Sequence, residues 1–323
     1  MKEKDLRIVF YGTPEIAAYQ LRWLKENGYN ITAVVTTVDK PVGRGLKTAC
    51  SAVKSYALQE GLRVLQPEKL SDPLFVEQIR QLKPQIQIVV AFRMIPECIY
   101  GLSEYATFNL HTSLLPQYRG AAPINWAIIN GETRTGMTTF ILNDKIDCGE
   151  IILQKEIEIT EEMTAGELHD KMMIQAPLMI EETIRRIIKK DCKTISQLQE
   201  DVSLKSAPKI LKSDTHVNWS KTGKEIVDFV RGLCPYPTAV CTFFSPEDKK
   251  EYGFKLFKVS FEPFASEKKV AGEFEIVSKD RIDVTCADGY IQLIDLQQNG
   301  KKRMPVSELI KGFRIKGRLM AKT

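Results

Sequence analysis

Histidine is nearly absent from this 323-residue chain: His111, His169 and His216 are the only three, and none stands at metal-ligand spacing from another. The seven cysteines are odd in number and scattered, and no Cys-x-x-Cys pair occurs. These two absences argue against a disulfide framework and against a cysteine zinc site, so no metal is expected. Long apolar runs are missing as well; none approaches the roughly 20 residues of a bilayer-spanning helix. The N-terminus, Met1-Lys2-Glu3-Lys4-Asp5, mixes charge signs and lacks a signal-peptide core. A cytoplasmic protein, without a membrane role, is the expectation. There is no internal repeat and no low-complexity tract, and 43% of residues are apolar, enough for a sizeable core.

Strand and helix patterns alternate over the first two hundred residues. Leu6–Tyr11 is a short β-rich run, and Gly12-Thr13-Pro14-Glu15 follows it. There Thr13 is placed as a helix N-cap and Pro14 as the first helical residue. Further strands are expected at 31–37, 63–65, 85–92, 107–111, 137–142 and 151–159. Thr164-Ala165-Gly166-Glu167 is a capping box that opens an amphipathic helix to about Lys190. Such alternation predicts a parallel sheet with helices on both faces. Beyond residue 213 the texture changes to short alternating runs, such as Val240–Phe244 and Tyr290–Leu296, separated by turn residues. That is the pattern of a small antiparallel barrel. The expected organisation is an α/β domain over 1–190, a link over 191–213 and a barrel over 214–323.

The net charge of +5 is unevenly spread. Residues 208–323 hold 21 lysines and arginines against 15 acids, and 301–323 hold eight basic residues and one acid, Glu308. A basic C-terminal part joined to a near-neutral remainder suits a polyanionic partner, although a solvated lysine-rich surface has the same composition.

The first strand and its glycine turn suggest a dinucleotide site, yet Gly-x-Gly-x-x-Gly is absent. The expected topology is therefore Rossmann-like without a nicotinamide cofactor. Asn109 and His111 lie two apart at a strand end, so they project to one face. Ligands of open α/β sheets bind at the carboxyl ends of strands. There the pair supplies an amide donor and a titratable imidazole. Some 35 residues on, Asp147-Cys148-Gly149-Glu150 places an acid in a loop at the same sheet edge.

The run Asn109-Leu110-His111-Thr112-Ser113-Leu114-Leu115-Pro116-Gln117-Tyr118-Arg119-Gly120-Ala121-Ala122-Pro123, followed by Asp147-Cys148-Gly149-Glu150, resembles the signature of the 10-formyltetrahydrofolate-dependent formyltransferases. The resemblance implies that Asn109, His111 and Asp147 form a catalytic trio and that Ser113, Leu114, Leu115 and Pro116 line the folate site. Asn109 would donate to a developing oxyanion, and Asp147 would orient His111 and accept a proton. A second segment, Lys40-Pro41-Val42-Gly43-Arg44-Gly45-Leu46-Lys47, is similar to the flexible loop with which the tRNA-acting branch enters the acceptor arm. It implies initiator methionyl-tRNA as partner, with Lys40, Arg44 and Lys47 in contact and Arg44 inserted. Glycines on both sides of Arg44 make such a loop pliable. The C-terminal barrel would be OB-like and aid tRNA binding. The chain would act as a monomer with 10-formyltetrahydrofolate as co-substrate. The alternatives are a formyltransferase for an amino sugar or other small amine, a formate-releasing hydrolase, and a non-catalytic RNA-binding protein. Two departures stand out. Val90-Ala91-Phe92-Arg93-Met94 lacks the family's usual glycine after the aromatic residue, and Cys148 replaces the usual threonine.

Overall fold

The computed structural model describes residues 3–42, 47–189, 193–197, 203–247, 249–264, 270–313 and 319–322. The chain forms two compact units that interleave in sequence. The first comprises Met1–Gly120, Thr135–Ile157 and His169–Ser206; the second comprises Ala121–Arg134, Glu158–Leu168 and Ala207–Thr323.

In the first unit, Ile8–Gly12 and Ile86–Val90 are buried at every residue. A strand apolar on both faces has to lie in the middle of a covered sheet, and these two are adjacent and parallel, Ile8 facing Ile86 and Gly12 facing Val90. Ile31–Val35 and then Val64–Leu65 extend the parallel set on one side, and Ala106–His111 extends it on the other. By order in the chain the five strands run third, second, first, fourth, fifth, which is the Rossmann arrangement. The expectation of a parallel sheet holds for these five. Arg134–Ile141 pairs antiparallel with Ala106–His111, His111 facing Thr138, and Ile151–Glu158 lies outside it. The link 142–150 is too short for the helical crossover that parallel pairing demands.

The order in which strands are added reverses between the first and fourth strands, which stay parallel, so their carboxyl ends, at Gly12 and Val90, open the crevice where such sheets take ligands. A Cβ on Gly12 would stand 2.5 Å from the Ala17 Cβ and 3.1 Å from the Val90 carbonyl oxygen. Close packing of the strand end against its own helix therefore dictates this glycine. The helix Glu15–Glu26 starts one residue later than expected, with Pro14 as N-cap at ψ −178° and without a side-chain cap. Thr13 thus does not cap; its buried hydroxyl has no partner among the described residues. Under the crevice the polar side chains are paired across three strands. Tyr11 Oη donates to Gln87 Oε1 at 2.6 Å, and Gln87 Nε2 donates to Thr107 Oγ1 at 3.0 Å and Ile99 O at 2.8 Å. The long helix Ala165–Ile188 has the expected capping box, the Glu167 carboxylate accepting from Thr164 N at 2.8 Å and Glu167 N donating to Thr164 Oγ1 at 3.2 Å. Among the described residues no helix is long and apolar enough to cross a membrane.

The second unit is built on a closed six-stranded antiparallel barrel. Its strands run Ala239–Ser245, Leu319–Ala321, Glu273–Ile276, Ile282–Thr285, Gly289–Gln298 and Lys250–Pro263, and the last returns to the first. The long strand closes the barrel by serving both neighbours: its first half pairs with Ala239–Ser245 and its second half with Gly289–Gln298. Closure removes the exposed edges that invite pairing between molecules. Phe243, Phe254, Phe274 and Phe313 fill the interior with ring centroids 4.9–6.3 Å apart. Burying each such ring stabilises the unit by about 2–3 kcal/mol. Helix Gly223–Leu233, capped reciprocally by Thr222 and Glu225, packs on the barrel. The sequence patterns had not suggested it. Its Asp228 and Arg231 form a buried pair at 2.8 Å, and Arg231 Nη1 donates to Met163 O at 2.9 Å.

Candidate active site

Asn109 and His111 sit on the strand Ala106–His111, between Ile86–Val90 and Arg134–Ile141. Period-two geometry sends both side chains to one face. The Asn109 amide is half-buried and makes no side-chain hydrogen bond among the described residues. His111 is buried, and its Nε2 lies 2.9 Å from the Tyr118 carbonyl oxygen. A carbonyl only accepts, so Nε2 carries the hydrogen and donates. That leaves Nδ1 facing the Asp147 carboxylate, 3.8 Å from Oδ2. The distance is beyond a hydrogen bond, so Tyr118, rather than Asp147, fixes the imidazole. Catalytic hydrogen bonds in unliganded sites are often long and tighten once substrate is bound.

Asp147 is held at both ends. Its Oδ2 accepts from Gly120 N at 3.0 Å, and its backbone oxygen accepts from Gln197 Nε2 at 3.1 Å. Its φ of 52° is the left-handed conformation, which few residues other than glycine adopt and which Asp tolerates better than most. Two residues on, a Cβ at Gly149 would fall 1.6 Å from the Ile141 carbonyl oxygen. The glycine after the acid is therefore required by contact with the strand Arg134–Ile141, and it sets the path of the loop. Cys148 is half-buried, with Sγ 3.1 Å from Ile146 O. Asp144 is exposed.

The Ser113–Pro116 stretch is a rigid turn whose polar groups are spent internally. Ser113 Oγ donates to Gln117 O at 2.7 Å, Thr138 Oγ1 donates to Ser113 O at 2.7 Å, and Gln154 Nε2 donates to Leu115 O at 2.8 Å. Ser113, Leu115 and Pro116 are buried and Leu114 is half-buried, close against Gly136. The departure at Arg93 also has a structural reason. Its guanidinium donates to Glu68 O at 2.7 Å and to Pro67 O, and lies 5.7 Å from the Phe92 ring centroid. It ties the end of the fourth strand to the segment after Val64–Leu65.

Arg44 lies outside the described residues. Lys40 and Lys47 lie on a short antiparallel hairpin, Lys40–Val42 against Lys47–Ala49, with Val42 facing Lys47. Asp39, at the hairpin's base, accepts from Lys54 Nζ at 2.5 Å and from Gln66 Nε2 at 2.9 Å. The Lys54 hydrogen bond, followed by that from Gln66, holds the Asp39 carboxyl below the usual carboxylate range. Three contributors escaped the sequence reading: the Tyr118 carbonyl, the Gly120 amide and the Gln197 side chain. The first two are backbone groups with no side-chain signature, and Gln197 stands in a polar run resembling a linker. Among the described residues no group of three His, Cys, Asp or Glu side chains is placed to hold a metal.

Comparison with known proteins gives the same direction for both parts of the chain. The model of the formyl transferase family matches residues 6–184, and that of the formyl transferase C-terminal domain matches 209–314. A methionyl-tRNA formyltransferase of Bacteroides thetaiotaomicron is 45% identical over 319 residues, covering 98% of each chain. One of Parabacteroides distasonis is 46% identical over 320 residues, covering 97% of this chain and 98% of its own. Among solved structures, an N-formyltransferase from Helicobacter canadensis, in complex with folinic acid and dTDP-3-aminofucose, shares the fold. Its TM-score is 0.63 at 21% identity, over 89% of this chain and 98% of that one.

Proposed function

This chain belongs to the formyl transferase family, and from that we infer that it transfers a formyl group from 10-formyltetrahydrofolate to the α-amino group of methionyl-initiator tRNA, for translation initiation. The observation that supports the chemistry best is an unclaimed Asn109 amide on the same strand face as an imidazole that looks onto a carboxylate. An α-amine has an unperturbed pKa of roughly 8, so part of it is already neutral near physiological pH. The site therefore has to orient that amine, stabilise developing negative charge and take up a proton. Asn109 Nδ2 donates to the oxygen that gathers charge. His111, anchored through Nε2, keeps Nδ1 turned toward Asp147, and Asp147 accepts the amine's proton directly or through a water.

The folate co-substrate, when bound, supplies the activated formyl carbon and the leaving nitrogen, N10, and the proton that Asp147 takes from the amine passes to that nitrogen as its bond to the formyl carbon breaks. An amide with no protein partner beside a crevice at the strand ends fits a ligand that offers a carbonyl. Ser113, Leu114, Leu115 and Pro116 form the folate-site wall, and their internally satisfied turn makes it a shape rather than a set of polar contacts. Lys40, Arg44 and Lys47 are the acceptor-arm contacts, with charge for phosphates and, at Arg44, a plane for stacking. The catalytic domain is taken as 1–190 and the tRNA-binding domain as 214–323, joined by 191–213. The enzyme works in the cytoplasm as a monomer, needing no metal and no membrane.

The test is to supply 10-formyltetrahydrofolate with charged initiator tRNA and measure formyl-methionyl-tRNA. Product is expected. No product there, with formylation of an amino sugar or release of formate instead, would overturn the assignment of the acceptor.

A further inference from the structure

We propose that Gln197 is a positioning residue for formyl transfer: it locks the loop bearing Asp147 to Arg119, and so sets where the carboxylate stands. The inference rests on the reading of Asp147 as the proton acceptor.

Gln197 follows Ile195, which bridges to Ile151 beside the Asp147 loop. Its side chain is 6% exposed, unusual for a glutamine in so polar a stretch. All of its hydrogen-bonding atoms are engaged. Nε2 donates to Asp147 O at 3.1 Å and to Gly149 O at 2.6 Å. Oε1 accepts from Arg119 Nε at 3.1 Å and Nη2 at 2.7 Å. The two carbonyls belong to the left-handed residue itself, Asp147 at φ 52°, and to Gly149 two residues on. Residue 119, in turn, precedes Gly120, whose N–H holds the Asp147 carboxylate at 3.0 Å. One amide thus closes a ring: the guanidinium of Arg119, the Gln197 side chain, the Asp147 backbone, the Asp147 carboxylate and the Gly120 N–H. A charged donor at one end polarises the amide and strengthens the bonds it makes at the other. Asp147 is therefore fixed relative to His111 from both the backbone and the carboxylate side. With its amide spent on Arg119, Asp147 and Gly149, Gln197 acts through Asp147.

The experiment replaces Gln197 in the full chain. Gln197→Leu removes the ring while keeping a buried side chain of similar size. Gln197→Asn is one methylene shorter and cannot reach Arg119 and both carbonyls together; it serves if the leucine variant does not fold. A displacement of about an ångström in a reacting group costs up to a hundredfold in rate. The expected result is a kcat lower by roughly ten- to hundredfold, with KM for tRNA and for 10-formyltetrahydrofolate little changed. In an Asp147→Asn background the same replacement is expected to have almost no further effect on kcat, because the group it positions is gone. A purely structural role would lower the unfolding temperature and move both KM values, and its effect would add to that of Asp147→Asn. That pattern, or wild-type kcat in a folded variant, overturns the proposal. If Asp147→Asn alone keeps full turnover, it is the reading of Asp147 that fails. If Asp147→Asn is inactive while Gln197→Leu is normal, only the positioning role fails.

Discussion

Replacing Asp147 by asparagine separates chemistry from architecture at one position. The shape is nearly conserved. Asparagine keeps an oxygen to accept from Gly120 N, now 3.0 Å from Asp147 Oδ2, and it tolerates the left-handed backbone at φ 52°. The structural loss is the difference between a charge-assisted and a neutral hydrogen bond, about 1 kcal/mol. The Gln197 bonds to the backbone oxygens of Asp147 and Gly149 are untouched. The chemical loss is larger. The carboxylate that His111 Nδ1 faces at 3.8 Å becomes an amide that cannot take a proton. Losing an acid–base group slows turnover by roughly a hundredfold or more, which adds at least about 2.7 kcal/mol to the barrier. The assay pairs the initial rate of formyl-methionyl-tRNA formation at saturating substrates with thermal unfolding of the same preparation. A small change in unfolding with a large drop in kcat is expected. Near-normal turnover in the folded variant would remove Asp147 from the mechanism.

Asn109→Ala is expected to fold normally, since the amide has no protein partner to lose, and to cut kcat by roughly a hundredfold, the scale of an oxyanion donor; unchanged kcat would assign that donor elsewhere. Arg44→Ala is expected to harm transfer to tRNA, read as kcat/KM for charged tRNA, and to leave folate affinity alone; unaltered transfer would make the loop assignment wrong. Glu225 gives a pH prediction for the second unit. The Lys221 hydrogen bond, then those from the Thr222 hydroxyl and backbone, push its carboxyl down to about 2 from the ordinary 4.5. A depressed carboxyl adds stability above its unfolded value and loses it as pH falls through the folded one. Acid unfolding of Glu225→Gln should therefore be less steep between pH 4.5 and about 2 than that of the native chain, and an identical slope would refute the capping role.

What could be read in advance follows from which groups leave a signature. The parallel strands were visible because burial on both faces makes them nearly continuous apolar runs, as in Ile8–Gly12 and in Ile86–Val90, which Gln87 alone interrupts. The barrel strands were visible by alternation, plain in Ala239–Ser245. Thr164 and Glu167 announced their helix. Thr222 and Glu225 carried the same signal for Gly223–Leu233, but the region around them reads as strands and the helix went unrecognised. Asn109, His111 and Asp147 were legible as a set through resemblance, because the acid lies some 35 residues away and spacing alone does not join it to the others. What orients the imidazole was not legible. It is the carbonyl of Tyr118, and every residue but proline carries the same backbone groups. Gln197 was hidden differently: composition does not separate a buried amide with four bonds from a solvated one.

The interleaving of the two units also has a consequence during synthesis. Asn125 Nδ2 donates to Gly232 O across 107 positions, and Trp126 Nε1 donates to Pro208 O across 82. The segments 121–134 and 158–168 belong with residues the ribosome has yet to make. At roughly 5–20 residues per second, Asn125 waits on the order of ten seconds for its partner. Through that interval Ile128, fully buried in the finished protein, has no second unit to enter. A nascent chain stalled near residue 200 is thus expected to be a client for chaperones, although the residues proposed for catalysis have all been synthesised.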